Sequence, residues 1–432
     1  MPLFTGHMKI RLNGHKDLTE GKPIITVGPG EKVFIPLANM EATPVEMLVK
    51  VGDHVREGTK VAVQQGRFPV SLFASASGTV TGIEKRIFSD FKMVDHLVIA
   101  TDGAQETERV LPQLDWRQAD AEQLIDYVRQ AGIVGCGGAG FPTYVKYHTK
   151  DRIETVIINA VECEPYLTTD CANIASSMDD FVTGCRILSK MAHDARVIIA
   201  IKAVHKPLIE KIRAAIGSDG LITIHEIKDF YPMGWERLVV KSVLNKEYKN
   251  LPSEAGAIVN NATTCIAVAQ ALLYGRPIID KLLTFAGDGI KQNAVVRVKV
   301  GTPITRIIDA LGGFTSEDVK IICGGPMMGT SMANDQLVVN PHMNGVMIMK
   351  WEPRPEMACL HCGRCADYCP RGLEPVRINI ANHAKDMEYL RQLKADTCIE
   401  CGTCSYVCPS HLPITEYVRR AKRTMKVFGQ QN

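Results

Sequence analysis

Eight cysteines toward the C-terminal end stand at spacings that could hold iron–sulfur clusters. They read Cys359-x2-Cys362-x2-Cys365-x3-Cys369-Pro370 and Cys398-x2-Cys401-x2-Cys404-x3-Cys408-Pro409. In this spacing three thiolates of one run come onto one face of a [4Fe–4S] cubane and the fourth arrives from elsewhere; in two-cluster units the fourth cysteine of each run ligates the other cluster. The expected ligand sets are therefore Cys359, Cys362, Cys365 and Cys408 for one cluster, and Cys369, Cys398, Cys401 and Cys404 for the second. Zinc suits the trailing Cys-Pro pairs poorly, and a disulfide framework needs an oxidising compartment. The other six cysteines (Cys136, Cys163, Cys171, Cys185, Cys265 and Cys323) are scattered, as expected of a chain kept in a reducing cytoplasm. Two clusters imply that the other domains supply or take up electrons.

A second stretch with chemical potential is Gly135-Cys136-Gly137-Gly138-Ala139-Gly140-Phe141-Pro142-Thr143. It contains G-x-G-x-x-G, but a dinucleotide fingerprint needs a strand before the glycines. Here Leu124, Ile125, Val128 and Ala131 mark one face of a helix instead. The alternatives are a plain glycine turn and a loop whose bare backbone lets a flat or phosphorylated ligand approach closely. Polar clusters follow: Asn159-Ala160-Val161-Glu162-Cys163-Glu164-Pro165, Tyr231-Pro232-Met233-Gly234-Trp235-Glu236 and Asn260-Asn261-Ala262-Thr263-Thr264. Any one of them alone is more often a helix cap or turn. Three with the glycine loop point to a converging pocket.

The elements that must position these groups show in the periodicity. Residues 1–37 read as a lead-in. Short runs with glycine turns, among them Lys32–Pro36, Met47–Val55, Lys60–Val63 and Ser75–Ile83, predict a small β module over about 38–105. Val-Gly-Asp-x-Val-x-x-Gly and Ala-x-x-Ser-Gly-x-Val within it resemble the lipoyl and biotinyl carrier fold, a barrel-sandwich hybrid, without the modifiable Lys beside Met. Strands at Val156–Ile158, Val197–Ile201 and Ile222–Ile227 alternate with helices at Phe181–Met191 and Pro207–Ile216, predicting a mostly parallel sheet within 106–290. Ligands of such sheets sit beyond the carboxyl ends of the strands. A strand pair signal at Val295–Pro303, a helix at Ile304–Leu311 and a strand at Lys320–Pro326 suit a β-grasp unit over 291–345. Helices at Val376–Leu390 and Ile414–Met425 give 346–425 the character of a helical ferredoxin. The expected fold class is thus multidomain α/β, in keeping with 432 residues.

Composition is ordinary for a soluble chain, 46% hydrophobic and 22% charged. A net charge of +3 is too slight to argue for nucleic acid, and no basic arm or RNA-stacking motif is present. No apolar run reaches the roughly 18 residues of a membrane span. The stretch Met1–Lys9 lacks a signal-peptide core, so any membrane attachment is expected to go through a partner protein.

Gly135-x-Gly137-Gly138-Ala139-Gly140-Phe141-Pro142-Thr143-x-x-Lys146, Asn159-x-x-Glu162-Cys163-Glu164-Pro165-Tyr166-Leu167-Thr168, Asn260-Asn261 and both cysteine runs together resemble the RnfC family, one component of the Rnf ferredoxin:NAD oxidoreductase complex. That family is similar in turn to the NADH-binding flavoprotein subunit of respiratory complex I. The resemblance covers nearly the whole chain and implies a carrier-like β module, an FMN and NADH module, a β-grasp module of the soluble-ligand-binding (SLBB) type and a two-cluster module. It implies FMN and NADH in one pocket, with Gly135, Gly137, Gly138, Gly140, Lys146, Asn159, Asn260 and Asn261 around the flavin and its phosphate. Phe141, Glu164 and Glu236 would line the NADH side, and Glu162 and Tyr231 complete the expected cofactor-binding set. Cys136, Val161 and Trp235 depart from the pattern of the relatives. The implied function is an NADH-linked oxidoreductase passing electrons between NADH and other electron-transfer subunits, cytoplasmic or peripheral on the cytoplasmic face of a membrane. Two alternatives stay open here: an RnfC-like paralogue feeding a soluble reductase of the proline reductase or cobalamin reductase type, and a non-enzymatic electron wire or scaffold with a vestigial nucleotide site.

Overall fold

The structure, a computed structural model, describes residues 10–37, 44–218 and 220–429. Met1–Lys9, on which the expectation about a leader rests, lies outside these residues. Among the described residues no helix is long and apolar enough to cross a membrane.

The β module is two small sheets facing one core. One has the order Lys32–Pro36, Met93–Thr101, Gly78–Ile87, His54–Val55, and the other Val45–Met47, Lys60–Gln64, Val70–Phe73. Val33, Val61, Val80, Leu97 and Ile99 fill the space between them. Lys32–Pro36 pairs antiparallel with Met93–Thr101, so the end of the lead-in is a strand of this module.

The central module carries the parallel sheet. Its order is Ile222–Ile227, Arg196–Lys202, Thr155–Ala160, Ala257–Asn261, every pairing parallel. The chain runs outward from Thr155–Ala160 for two strands and then returns to its other side. The topological switch point therefore lies between Thr155–Ala160 and Ala257–Asn261, where doubly wound sheets bind ligands. The helices Met178–Met191 and Ala262–Tyr274 cover one face, with Phe181, Ile187 and Leu188 fully buried. Gly184 lets these two helices touch, since a Cβ there would stand 2.2 Å from the carbonyl oxygen of Cys265.

A six-stranded mixed sheet follows, ordered Ile25–Thr26, Ala294–Lys299, Asp280–Ala286, Gly345–Lys350, Val319–Cys323, Thr330–Ser331, with the helix Ile304–Ala310 on its core. It reaches beyond the 291–345 expected for it, taking one strand from the lead-in and one before residue 291, and running its strand Gly345–Lys350 past 345. The signal at Val295–Pro303 is one strand, Ala294–Lys299, and the turn after it; its antiparallel partner is Asp280–Ala286. In the C-terminal module the single helix expected over Val376–Leu390 is two, Pro375–His383 and Met387–Gln392. The break falls at Lys385, whose φ is 55°, and Asp386 caps the second helix by accepting from the Tyr389 amide at 2.9 Å. The last helix, Ile414–Gly429, packs on Pro375–His383 through Val418 and Ala421.

In an open helix Gly→Ala stabilises by roughly 0.5–1 kcal/mol. The close approach at Gly184 reverses that sign. Gly184→Ala is expected to destabilise the chain by about 1–3 kcal/mol, measured as a lower urea midpoint by far-UV circular dichroism; an unchanged or higher midpoint would show that the two helices can separate freely.

Candidate functional site

The glycine loop is pinched shut at its base. The helix Ala121–Gln130 ends, Gly132 turns with φ 63°, and the Gly135 amide donates to the Phe141 carbonyl at 2.8 Å. A helix therefore precedes the glycines, as expected. The loop lies over the switch point: a Cβ on Gly137 would stand 3.1 Å from Cβ of Asn261, and one on Gly140 would stand 3.1 Å from Nδ1 of His342.

Beneath the loop opens a cavity of about 1080 Å³, at the large end for small-molecule sites. Gly135, Gly137, Gly138, Gly140, Phe141, Lys146, Asn159, Glu162, Glu164, Glu236, Asn260 and Asn261 all line it. Tyr231 is the exception. It is buried behind the wall, its hydroxyl 2.6 Å from the carbonyl oxygen of Cys401 and 3.4 Å from Glu164.

Donors and acceptors are fixed by the ends of the two central strands. Asn261 is the N-cap of Ala262–Tyr274; its Oδ1 accepts from the Thr263 and Thr264 amides and its Nδ2 donates to Asp170 at 2.7 Å. Asn260 donates to the Tyr147 hydroxyl at 2.8 Å while its Oδ1 stays buried with no partner among the described residues. Asn159 is spent on the Gly234 carbonyl at 2.9 Å. The Lys146 ammonium donates to the Val259 carbonyl at 2.7 Å, and burial holds its pKa below the usual lysine range, with Glu236 opposing. One carbonyl leaves an ammonium with two donors to spare.

The acidic side is a buried network. Burial raises Glu164 to about 7, against the amides of Met327 and Met328, which donate to its carboxylate at 3.1 and 2.9 Å. Glu162 is also raised by burial, and it accepts from the Asp170 amide. Asp170 is raised in the same way while Thr263 and Asn261 donate to it. The Lys16 ammonium, from the lead-in, donates to the carbonyls of Glu162, Glu164 and Leu167. Glu236 accepts from the Tyr248 hydroxyl at 3.1 Å.

Sequence reasoning missed Lys16, Asp170 and His342, together with the β-module residues Phe68, Phe88 and Ser89 that form the far wall. Phe68 meets Phe141 edge to face at 5.7 Å, and Ser89 lies 3.2 Å from Nε2 of His342. Asp170 stands two residues after the Asn159–Thr168 motif and shares its local signal, whereas the others carry none, because each belongs to a segment distant in the chain. Of the departures, Cys136 and Val161 are fully buried, and Trp235 stands in the cavity wall. The Arg371 guanidinium, two residues after Cys369, lies 5.9 Å from the Trp235 ring centre. Of the scattered thiols, Cys163 and Cys323 line the cavity and are pushed by burial up to about 11 and about 12, while Cys185 and Cys265 touch at 3.8 Å between two helices.

The two cysteine runs fold into the same loop twice. His361 and Glu400 have φ 52° and 56°, and Gly363 and Gly402 both have φ 78°. The amides of His361 and Glu400 donate to the sulfurs of Cys359 and Cys398 at 3.4 and 3.3 Å. A short helix then follows each loop, Arg364–Asp367 and Thr403–Tyr406. Cys369 lies close enough to Cys398, Cys401 and Cys404 to raise each thiol electrostatically, beyond the larger effect of burial. No three His, Cys, Asp or Glu side chains among the described residues gather as tightly as one metal ion requires. The loops differ in surroundings. Cys401 is buried and Ile399 packs near Tyr231 and Met327, whereas Cys362 is exposed and Leu360, the counterpart of Ile399, is 65% exposed.

Residues 128–270 match the Nuo51 FMN-binding domain, residues 4–104 the RnfC barrel sandwich hybrid domain, and residues 353–412 a 4Fe-4S dicluster domain. The C subunit of the proton-translocating ferredoxin:NAD(+) oxidoreductase complex of Clostridium ljungdahlii is 32% identical over 373 residues, 84% of this chain and 81% of its own. Its counterpart in the Na(+)-translocating complex of Acetobacterium woodii is 32% identical over 82% of each chain. The counterpart in the ion-translocating oxidoreductase complex of Rhodobacter capsulatus is 34% identical over 87% of this chain and 74% of its own. Among solved structures, a chain of an NAD+-reducing [NiFe]-hydrogenase in the H2-reduced state superposes with a TM-score of 0.52 at 17% identity, over 72% of this chain and 64% of that one, a likeness of fold.

Glu164 binds its proton more tightly folded than unfolded, so the stability it adds is complete below about pH 4.5 and lost as pH rises through about 7. The loss is at most roughly 3 kcal/mol. Glu164→Gln is expected to flatten the fall of the urea midpoint across that window; an equally steep fall in the variant would assign the pH dependence elsewhere.

Proposed function

We infer the activity from one premise: the chain belongs to the RnfC family, the C subunits of ion-translocating ferredoxin:NAD(+) oxidoreductase (Rnf) complexes. It is an NADH-linked oxidoreductase that transfers electrons between NADH and other subunits through FMN and [4Fe–4S] chemistry. The observation that carries this reading is the contact of the nucleotide cavity with the second cysteine loop: Glu164 in the cavity wall accepts from Met327 and Met328, the Met327 backbone lies against Gly402, and the Cys401 carbonyl accepts from Tyr231.

The cavity suits FMN on its own residues. Asn260 offers an unpaired acceptor, Gly137 and Gly140 let the loop close onto Asn261 and His342 while Gly138 leaves open space, and Lys146 has donors to spare for a phosphate. Asn261 closes the N-terminus of Ala262–Tyr274 at the edge of the same space, so the phosphate falls to Lys146 and not to that helix end. Glu164 and Glu236 face the remaining volume as acceptors for the ribose hydroxyls of NADH, with Phe141 and Phe68 at its rim. FMN held by these residues would supply the conversion of a two-electron hydride into single electrons, the form in which an iron–sulfur cluster accepts them. No general base is required, so the chain needs only to orient the rings and exclude water.

Cys369, Cys398, Cys401 and Cys404 hold the cluster beside the cavity, and Cys359, Cys362, Cys365 and Cys408 a second one at the exposed loop. The order from the cavity is buried set, exposed set, partner. The six-stranded module, proposed as a β-grasp of the soluble-ligand-binding type, supplies Met327 and Met328 to the joint. Attachment to a membrane runs through other subunits, so the chain works peripherally on the cytoplasmic face. The relatives favour this reading over a soluble-reductase donor and over a bare wire.

Two measurements test it. Anaerobic NADH titration of the intact chain is expected to bleach flavin absorbance and bring up two cluster signals by electron paramagnetic resonance; clusters with neither response would leave a wire or scaffold. A charged contact to phosphate is worth about 1.5–3 kcal/mol, so Lys146→Met is expected to weaken FMN binding about 10- to 100-fold at unchanged iron content; retention at the native level would place the phosphate elsewhere.

A further inference from the structure

The family resemblance puts Tyr231 among the cofactor-binding residues, yet it lies outside the cavity wall. Its hydroxyl is 2.6 Å from the Cys401 carbonyl oxygen and 3.4 Å from Oε1 of Glu164, so its one proton goes to the shorter contact. The ring is 4% exposed and packs with Ile10, Cys401 and Val407, and its amide donates to the Ile10 carbonyl at 3.1 Å. Stretches far apart in the chain are thus pinned at one residue, Ile10 by its amide and Cys401 by its hydroxyl. A hydrogen bond in such an apolar nest is stronger than one in water.

We propose that Tyr231 is a positioning residue for electron transfer, holding the buried cysteine loop on the nucleotide module and raising the reduction potential of the cluster that loop carries. The reason is electrostatic. A donor aimed at the carbonyl of a ligating cysteine draws electron density from that residue and favours the more negative, reduced state; hydrogen bonds around cysteine ligands are one of the levers on cluster potential. Cys362, the position corresponding to Cys401, is exposed on its own loop whereas Cys401 is buried, so the effect falls on one cluster of two. This inference rests on the functional reading in which Cys369, Cys398, Cys401 and Cys404 share a cluster.

The test uses the full chain, prepared anaerobically with flavin and iron, and a potentiometric titration followed by electron paramagnetic resonance. Tyr231→Phe removes the donor and keeps the ring. Expected are native FMN content, native iron content and native NADH affinity, with the midpoint of one cluster signal moved to a more negative potential and the other unmoved. Trifluorotyrosine at position 231, a more acidic donor of nearly the same shape, is expected to move the same signal the opposite way, which a purely structural role would not do. Unchanged midpoints in both variants would overturn the proposal, as would equal shifts of both signals. If Tyr231→Phe loses iron, the fluorinated variant decides alone. A wild-type chain whose flavin NADH does not bleach would instead overturn the functional reading, a result distinct from either.

Discussion

The lead-in, the parallel sheet and the six-stranded sheet meet at one turn, residues 162–169, whose backbone polar groups must be satisfied away from water. Glu162 and Tyr166 take φ 40° and 67° there, so the turn cannot satisfy itself by regular structure. The Lys16 ammonium gathers three of its carbonyls, the Tyr166 amide donates to the Gly14 carbonyl, and Tyr166 stacks on His15. Thr168 and Thr169 are tied to Thr284 of the six-stranded sheet. Glu164 reaches Met327 and Met328 in one direction and Tyr231 in the other. Loss of any one partner leaves a buried polar group unpaired, which couples the lead-in, both sheets and the cysteine loops more tightly than their separate cores would.

That turn also explains why so many carboxyls sit where they are costly. Glu162, Glu164 and Asp170 are raised by burial, yet each keeps specific donors. A site that must hold a dinucleotide against a flavin needs acceptors for hydroxyls in a space from which water is excluded. The same low dielectric that penalises these carboxyls strengthens every contact they make. Lys16 is committed to the carbonyls of the turn, whereas Lys146 spends one donor on the Val259 carbonyl, so one ammonium ties the turn and the other keeps donors for a ligand. A ligand with both hydroxyls and phosphates requires that division.

What was legible in the sequence follows from range. The cysteine runs are legible because a cubane imposes its spacing within about ten residues. The parallel sheet and the convergence of Asn159, Glu162, Asn260 and Asn261 are legible because strand ends in a βαβ pattern share one edge. The six-stranded sheet is not: it pairs Ile25–Thr26 of the lead-in with Ala294–Lys299, and Asp280–Ala286 with Gly345–Lys350 near the cysteine runs, and pairings at such distances leave no local trace. The break at Lys385 carries neither Gly nor Pro, and an apolar period that continues across it masks the aspartate cap at Asp386. Tyr231 reads like a ligand contact because it stands in a motif whose neighbours Pro232, Gly234, Trp235 and Glu236 do line the cavity. A side chain that turns away from its own motif cannot be seen in the motif.

The β module gains its purpose from the same geometry. It resembles carriers whose hairpin presents a lysine for modification, but the connection between Lys60–Gln64 and Val70–Phe73 reads Gln65-Gly66-Arg67-Phe68-Pro69 and presents an aromatic ring to Phe141 instead. The other hairpin, between Gly78–Ile87 and Met93–Thr101, brings Phe88 against the His342 ring at 5.5 Å and Ser89 to its Nε2. Burial pushes His342 down to about 4, so it enters this contact neutral and serves as packing and hydrogen-bonding surface. Both hairpins thus close the side of the cavity that the parallel sheet leaves open. A fold that elsewhere moves a tethered group serves here as a fixed wall, and a wall has no use for the lysine that a carrier must present.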